Sequence, residues 1–212
     1  MQDTIDQQIP RLALADWRRR LNALYAEVRA EAEPEVAWRR WHRSRSQLFR
    51  EHPVSPLAPD VRTSFKVIPV YPYDPDLRLE VVAVPIEGPT ETVPLDEDGE
   101  FRRRPIARTR GLAPTVGAEL TLWWIEGYGG GLFLPFTDAT SGRETYGGGR
   151  YLLDAIKGAD LGSSEDGRLM LDFNFAYHPS CAWNDDWTCP LAPEDNRLPA
   201  PIRGGERLVE WI

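Results

Sequence analysis

An alternation of apolar and polar side chains near the C-terminus constrains the fold more than any other feature of the sequence. From residue 168 to residue 178 every second side chain is apolar, and most of those between are polar. One face would carry Leu169, Leu171, Phe173, Phe175 and Tyr177, and the other Asp172, Asn174, Ala176 and His178. A period of two is typical of a β-strand. The sequence therefore predicts a strand here whose apolar face lies in the core of a sheet.

Short apolar runs separated by turn residues fill the middle of the chain. Besides 168–177, the candidate strands are 65–70, 77–86, 90–95, 100–109, 118–126, 132–136 and 150–156. Asp98–Gly99 is the best hairpin signal, because a type I′ turn needs a positive φ at both central residues. Since no helical pattern separates the runs, we expect a mainly β fold, an antiparallel barrel-like or sandwich domain. Arg102 to Pro105 suggests an edge strand, because charge and Pro discourage pairing.

Two helices are predicted before the β domain. The apolar residues of the first are spaced three and four positions apart, as in an amphipathic helix: Leu14, Trp17, Leu21, Leu24 and Val28. A second helix begins at Pro34, a favoured first-turn position, and ends before Pro53. Together they predict a helical hairpin. We expect residues 1–58 to be a helical appendage of the same unit and residues 59–212 to form the β domain with its Pro-rich tail.

Charge and composition restrict the partners. The formal net charge is −8, which argues against nucleic acid as a partner because nucleic acid attracts basic surfaces. Four basic residues of the second helix are therefore interpreted as a solvated face: Arg39, Arg40, Arg43 and Arg45. No apolar run reaches the roughly 18 residues of a membrane span. The segment MQDTIDQQIP lacks the regions of a secretory signal, so we expect a soluble, cytoplasmic protein with reduced thiols.

The polar face of the strand at 168–178 is the predicted functional site. The tail that follows, residues 179–206, contains Trp183 and Trp187, which would be buried only if it folds back over the domain. We expect it to cover the polar face, with one of these Trp side chains beneath it and Arg197 near Asp172 or another carboxylate. A small polar ligand would bind in the cleft between strand and tail. The candidate binding residues are Arg150, Asp172, Asn174, His178, Asn196 and Arg197.

Two other classes of function stay open. A hydrolase would use His178 or Cys181, although the chain has no GxSxG motif. An interaction protein would act through the N-terminal helices, whose apolar stripe needs a cover that a second copy of the chain would supply. The spacing of His178, Cys181 and Cys189 is not a common zinc pattern, so no metal site is predicted and no cofactor is assigned. The two cysteines are either reduced thiols or a disulfide that closes a short loop.

Three long segments of the C-terminal half resemble one known family. They are LFLPFTDATSGRETYGGGRYLLDA at 132–155, LDFNFAYHPSCAW at 171–183 and TCPLAPEDNRLPAPIRGGER at 188–207. WRRWHRSRSQLFREHPVSPL, at 38–57, is similar to the N-terminal portion of the same family. This is the uncharacterised bacterial and archaeal family catalogued as domain of unknown function 1684. The resemblance implies that 132–155 and 171–207 belong to one unit, and it implies no particular activity.

Overall fold

The computed structural model describes residues 3–95 and 99–208, with side chains described from residue 11 onward. Two long helices come first, α1 (Asp3–Ala30) and α2 (Pro34–Glu51), and two short ones follow, α3 (Pro59–Ser64) and α4 (Ala113–Val116). The strands are β1 (Arg78–Pro85), β2 (Glu91–Pro94), β3 (Glu100–Arg110), β4 (Thr121–Ile125), β5 (Gly131–Phe136), β6 (Arg150–Asp154) and β7 (Leu169–Asp172).

The strands form one sheet that curls into a near-closed antiparallel barrel. Their order is β6-β5-β4-β3-β1-β7, and β2 pairs with the first residues of β3. The two edges meet where Tyr151 of β6 and Tyr177 beyond β7 exchange backbone hydrogen bonds of 2.9 and 3.1 Å. Closure in this way leaves little free sheet edge. The predicted barrel-like fold is confirmed.

Side chains that alternate toward the barrel interior build the main core. Val81, Leu122, Leu134 and Leu171 come from four different strands and are almost fully buried. Each such side chain contributes about 1.5–3 kcal/mol relative to an exposed one. Burial of Leu171 agrees with the apolar face predicted for the start of its strand.

The predicted helical hairpin is also present. Pro34 occupies the first turn of α2, and the apolar stripe of α1 is buried from Trp17 to Val28 against α2 and the barrel. Between the helices, the indole N–H of Trp41 donates to the hydroxyl of Tyr25 at 3.1 Å in a buried hydrogen bond. In the part of the chain that the structure describes, the helices are too short or too polar to cross a lipid bilayer.

Two local predictions differ from the structure, and a third lies partly outside the described residues. The run 65–70 is not a strand and contributes only an isolated bridge from Val70 to Glu206. The edge position predicted for β3 is wrong, because β3 pairs with β4 on one side and with β1 and β2 on the other. Pro105 is tolerated there because the register shifts next to it. Asp98 of the predicted hairpin lies outside the described residues, while Gly99 has a φ of 87°.

Candidate functional site

Two of the six predicted binding residues, Arg150 and His178, lie in a buried polar cluster around Glu206. The guanidinium of Arg150 donates to the carboxylate of Asp138 at 2.8 Å and to the carbonyls of Ile202 and Glu206 at 2.8 and 3.1 Å. The backbone N–H of His178 donates to the Glu206 carboxylate at 2.8 Å. Because the end of the tail supplies most of these acceptors, the cluster fastens the tail to the barrel.

The other carboxylate oxygen of Glu206 pairs with Arg45 of α2. It accepts from Nη2 and Nε of Arg45 at 2.6 and 2.8 Å, and both side chains are almost completely buried. The guanidinium also lies 4.7 Å from the ring centre of Tyr177 and 5.4 Å from that of Trp41. The interpretation of Arg45 as part of a solvated face was therefore wrong. A charge at this depth is tolerated only because a carboxylate and aromatic faces surround it.

The imidazole of His178 is held as a neutral acceptor. Its Nε2 accepts the backbone N–H of Tyr146 at 3.3 Å, and its ring lies 6.0 Å from that of Trp183. Burial, together with the charges of Arg150 and Arg45, holds the pKa of His178 well below its usual range. This environment keeps the ring uncharged at neutral pH.

The backbone leaves the strand earlier than the alternation predicts. Asp172 accepts the backbone N–H of Asn174 at 2.9 Å and its side-chain amide at 2.8 Å, which turns the chain into a 3-10 helix at Phe173–Phe175. An Asp side chain that bonds the N–H two residues on is a common turn former. Every residue from 171 to 178 is buried. The predicted strand is thus too long, and its second face is not a solvated polar row.

The remaining predicted residues do not lie at one common site. Asp172 is buried and lies 3.5 Å from the guanidinium of Arg78. Burial raises the pKa of Asp172 despite that partner. Among the described residues the guanidinium of Arg197 forms an ion pair neither with Asp172 nor with another carboxylate, so the predicted pairing of Arg197 is wrong. Arg197 is exposed, whereas Asn196 is buried and bonds the backbone N–H and C=O of Thr121 at 2.7 and 2.9 Å. The structure therefore brings the six residues together only as the pairs Arg150 with His178 and Asp172 with Asn174.

The tail folds back over the barrel as predicted, but its last part packs directly on the chain after β7. A methyl group added at Gly205 would lie 2.3 Å from the carbonyl oxygen of Ala176, and one at Gly204 would lie 3.2 Å from that of Phe173. The backbone N–H of Glu206 donates to the carbonyl of Ala176 at 2.8 Å. We call residues 196–206 the anchored segment. Its contact with the chain after β7 is too close to admit a ligand there.

A cavity lies instead at one end of the barrel. Its volume is about 360 Å³, within the range usual for small-molecule sites. Because the strands are antiparallel, the starts of β3 and β5 and the ends of β4 and β6 meet at this end, where Phe101, Phe133, Ile125 and Asp154 line the wall. Tyr151, near the start of β6, lines it as well. Leu14 and Trp17 of α1 close one side. The tail closes another with residues of 180–190, which we call the pocket segment, and the cavity is the mouth pocket.

The polar end of the mouth pocket is formed by Lys157 and Asp154. Asp154 accepts the hydroxyl of Tyr177 at 2.7 Å and lies 3.7 Å from the ammonium of Lys157. The same ammonium lies 5.6 and 5.4 Å from the ring centres of Tyr151 and Tyr177. Asp154 and burial raise the pKa of Tyr177 well above its usual range. Most of the lining is aromatic or aliphatic, and its charged side chains are Lys157, Asp154 and the exposed Arg18. The half-buried ammonium of Lys157 is suited to a ligand with a single acceptor group.

Sequence reasoning did not find this group of residues. Lys157 belongs to no motif, and Asp154 and Tyr151 were assigned only to a strand. One signal was present, because Lys157 is one of only two lysines among 25 basic residues. When nearly all other basic residues of a chain are Arg, a Lys is a reason to look for a role of its ammonium group.

The three side chains considered as metal ligands, His178, Cys181 and Cys189, do not form a metal site. Nε2 of His178 is engaged by Tyr146, and Cys181 and Cys189 are free thiols, each half-buried. Within residues 3–95 and 99–208 no three His, Cys, Asp or Glu side chains come close enough to hold a metal ion.

The architecture defines a class of protein, an antiparallel β-barrel with an N-terminal helical hairpin and a pocket at the barrel mouth. A family model described as "Protein of unknown function (DUF1684)" matches residues 63–207, and the chain belongs to that family. The chain is also similar to an uncharacterised protein of Haloarcula marismortui known from a solution NMR structure. The two share 32% sequence identity with a TM-score of 0.54, over 79% of this chain and 90% of the other. No curated protein matches the chain.

Proposed function

We propose that the protein is a small-molecule-binding barrel and that its ligand occupies the mouth pocket. The observation that carries the proposal is the composition of the pocket wall, in which mostly aromatic and aliphatic side chains surround the half-buried ammonium of Lys157, while Arg18, the other cation of the lining, is exposed. Such a combination selects an apolar molecule with one hydrogen-bond acceptor, such as a carboxylate on a hydrocarbon chain. The pocket includes the first part of the predicted tail site, and none of the six predicted binding residues lines it.

Comparison with a cavity along the helical hairpin supports this choice. It has a volume of about 560 Å³ and follows the helical hairpin, where its lining includes Asp16, Arg20, Glu27 and Glu51. Solvated charges of both signs bind a small molecule weakly because each must first give up water. The mouth pocket has a drier wall and buries more of a ligand.

The two alternative functions find less support in the contacts. Cys181 contacts Tyr146, while the imidazole nitrogen of His178 faces a backbone N–H, so the pair does not have the hydrogen bond of a nucleophile and its base. The apolar stripe of α1 is buried within the chain from Trp17 to Val28. A partner for the helices would therefore have to bind another face.

Calorimetric titration with decanoate and decanol tests the proposal. The two probes share a hydrocarbon chain, and only decanoate carries a carboxylate. We expect both to bind, with Lys157→Met weakening decanoate about tenfold or more and leaving decanol nearly unchanged, because a charge-assisted hydrogen bond contributes about 1.5–3 kcal/mol. Lys66→Met is the matched control, since Lys66 is the other lysine and is exposed.

A second pair of variants tests the location. Leu14→Trp places a larger side chain in the pocket from α1 and is expected to abolish binding of both probes. Leu12→Trp, on the same helix but 66% exposed in the native protein, is expected to bind both normally. Equal binding by the two variants, or no binding to the native protein, would overturn the proposal.

A further inference from the structure

Apolar side chains that face solvent border the opening of the mouth pocket. Ile156, in the 3-10 turn after β6, and Trp187, in the pocket segment, line the cavity and are nevertheless 44% and 37% exposed. A side chain that lines a cavity and also reaches solvent lies at the edge of the opening. Exposed apolar side chains grouped around a pocket mark a surface that binds a partner.

The loop between β4 and β5 adds an aromatic side chain at the same end of the barrel. Ile125, the last residue of β4, lines the mouth pocket, so the loop 126–130 that follows it extends beyond the pocket wall. Gly127 and Gly129 of this loop have φ values of 116° and 76°, and Tyr128 between them is fully exposed. The phenol ring of Tyr128 therefore contributes nothing to the core and is available for contact with a partner.

Two guanidinium groups of α1 lie beside these apolar side chains. Arg18 is exposed and lines the mouth pocket, and Arg11, also exposed, precedes it by two helical turns on the same face of α1. Neither forms an ion pair with another described residue, whereas Arg20 of the same helix bonds Asp16 at 2.7 Å. Guanidinium groups without a carboxylate are suited to bind phosphate oxygens. We call the following five residues the rim: Arg11, Arg18, Tyr128, Ile156 and Trp187.

Carboxylates near the rim limit its positive charge. Asp154 is buried beside Lys157, and Glu126 lies 3.0 Å from Arg104, so a cation accompanies each of them. Two further carboxylates, at 185–186, are exposed next to the rim. Charges of both signs match a surface that itself carries phosphates and ammonium groups. A strongly anionic surface fits less well, because the formal net charge of the chain is −8.

We propose that the rim binds the surface of a bilayer of zwitterionic phospholipid and that the mouth pocket then opens toward the acyl chains. Tyr and Trp side chains favour the boundary between headgroups and hydrocarbon, because part of each is apolar and part forms hydrogen bonds. In the bound state Tyr128 and Trp187 lie at this boundary, and Arg11 and Arg18 bind phosphates. What passes through the opening rests on the proposed function, since a hydrocarbon ligand enters the mouth pocket from the bilayer without crossing water.

Co-sedimentation with phosphatidylcholine vesicles tests the proposal. We expect the native protein to bind, and Tyr128→Asp to bind about tenfold more weakly or worse, because a carboxylate is unfavourable at the apolar boundary. Val36→Asp is the matched control, since Val36 is 45% exposed and lies near the loop between α1 and α2, away from the rim. It should bind like the native protein. The proposal fails if the native protein stays in the supernatant or if both variants bind equally.

A second vesicle composition tests the choice of headgroup. When about one quarter of the phosphatidylcholine is replaced by phosphatidylglycerol, which is anionic, we expect binding that is no stronger. A tenfold gain that added salt reverses would show attraction to anionic lipid and would contradict the assignment to zwitterionic lipid.

Two measurements in the absence of vesicles distinguish the remaining outcomes. Sedimentation velocity should give the same mass for the native protein and Tyr128→Asp, whereas a native dimer that the variant dissociates would assign the rim to a second copy of the chain. Tyr128→Asp should bind decanoate like the native protein, because Tyr128 does not line the mouth pocket. Decanoate binding without vesicle binding would reject the bilayer alone, and vesicle binding without decanoate binding would reject the proposed ligand alone.

Discussion

The anchored segment (196–206) and the pocket segment (180–190) belong to one tail, yet the protein holds them in different ways. Buried charges and close backbone contacts hold the anchored segment, with Glu206, Arg45 and Arg150 all out of solvent. The pocket segment is half-buried or exposed, and it is held by ring packing of Trp183 on Phe49, with centroids 5.2 Å apart, and by single hydrogen bonds, such as the 2.5 Å bond from the hydroxyl of Tyr151 to the carbonyl of Pro190.

This difference indicates that the anchored segment has a structural role and the pocket segment a functional one, although both belong to the same tail. Buried polar residues of the anchored segment are hydrogen-bonded to other parts of the chain, Asn196 to Thr121 of the barrel and Glu206 to Arg45 and His178, so they stabilise the barrel and have no free capacity for a ligand. The pocket segment has accessible thiols, a cavity wall and few restraints, which are properties of sites that bind or react. A row of polar residues in a sequence therefore does not by itself locate a site, because burial can use all of its hydrogen-bonding groups.

The largest expected loss of stability comes from breaking the ion pair between Arg45 and Glu206, which holds the anchored segment. Glu206→Gln leaves the guanidinium of Arg45 buried without a carboxylate, and loss of one partner of a buried ion pair costs about 3–5 kcal/mol. Chemical denaturation measures the change in the free energy of unfolding. Arg203→Gln is the matched control, because its ion pair with Glu144 is exposed and is expected to contribute about 0–1 kcal/mol. Similar losses in both variants would contradict the distinction between the segments.

A smaller change in stability is expected when the pH is lowered, and it originates at His178, which contacts the anchored segment. The folded protein holds the pKa of His178 below the value of about 6.5 in the unfolded chain, so below that pH the unfolded state binds the extra proton. Stability is therefore present at neutral pH and falls as the pH decreases from about 6.5, by at most about 1.4 kcal/mol per pH unit from this group. His178→Asn should reduce the slope between pH 7 and pH 5. Identical slopes in the two proteins would show that His178 does not contribute.

The smallest effect on stability is expected in the pocket segment. Trp187 is 37% exposed, and Trp187→Ala should lower the free energy of unfolding by less than about 1 kcal/mol. Limited proteolysis of the same variant should cut faster near Asn184 to Asp186, which are exposed or half-buried, and leave the anchored segment intact. Cleavage within 196–206 at an equal rate would show that the two segments are not held differently.

Local patterns were enough to predict most of the fold. The three-four spacing of α1 and the position of Pro34 gave both helices, although α1 begins at Asp3 and not near Arg11, where its apolar stripe begins. Short apolar runs gave the seven strands of the described residues. The run 65–70 failed because its apolar residues pack between elements without a sheet partner. The alternation at 168–178 failed beyond Asp172 because that side chain turns the backbone, an effect that a period of two cannot reveal.

The candidate site was less predictable because its contacts join distant parts of the chain. From its position in the sequence Arg45 is expected to be solvated, because its partner Glu206 is far away along the chain. The mouth pocket likewise combines residues of α1, several strands and the tail. Polar composition drew attention to Asp172 and Asn174, which bond each other, and the Asn174 amide also bonds the backbone of Asp74, 100 positions away. The prediction that the six candidate residues bind a ligand stays a prediction.

The pairing of Arg45 with Glu206 also determines when the helical hairpin can dock on the barrel during synthesis of the chain. The two residues are 161 positions apart, so a ribosome that adds roughly 5–20 residues per second makes Glu206 about 8–32 s after Arg45. During that interval α2 carries a cation that has no carboxylate to accompany it into the core. The helical hairpin therefore has to wait, with Arg45 still hydrated, until the end of the anchored segment emerges. A nascent chain that stops short of Glu206 would keep this charge in solvent and leave the hairpin undocked, which exposes its aromatic face to chaperones and proteases.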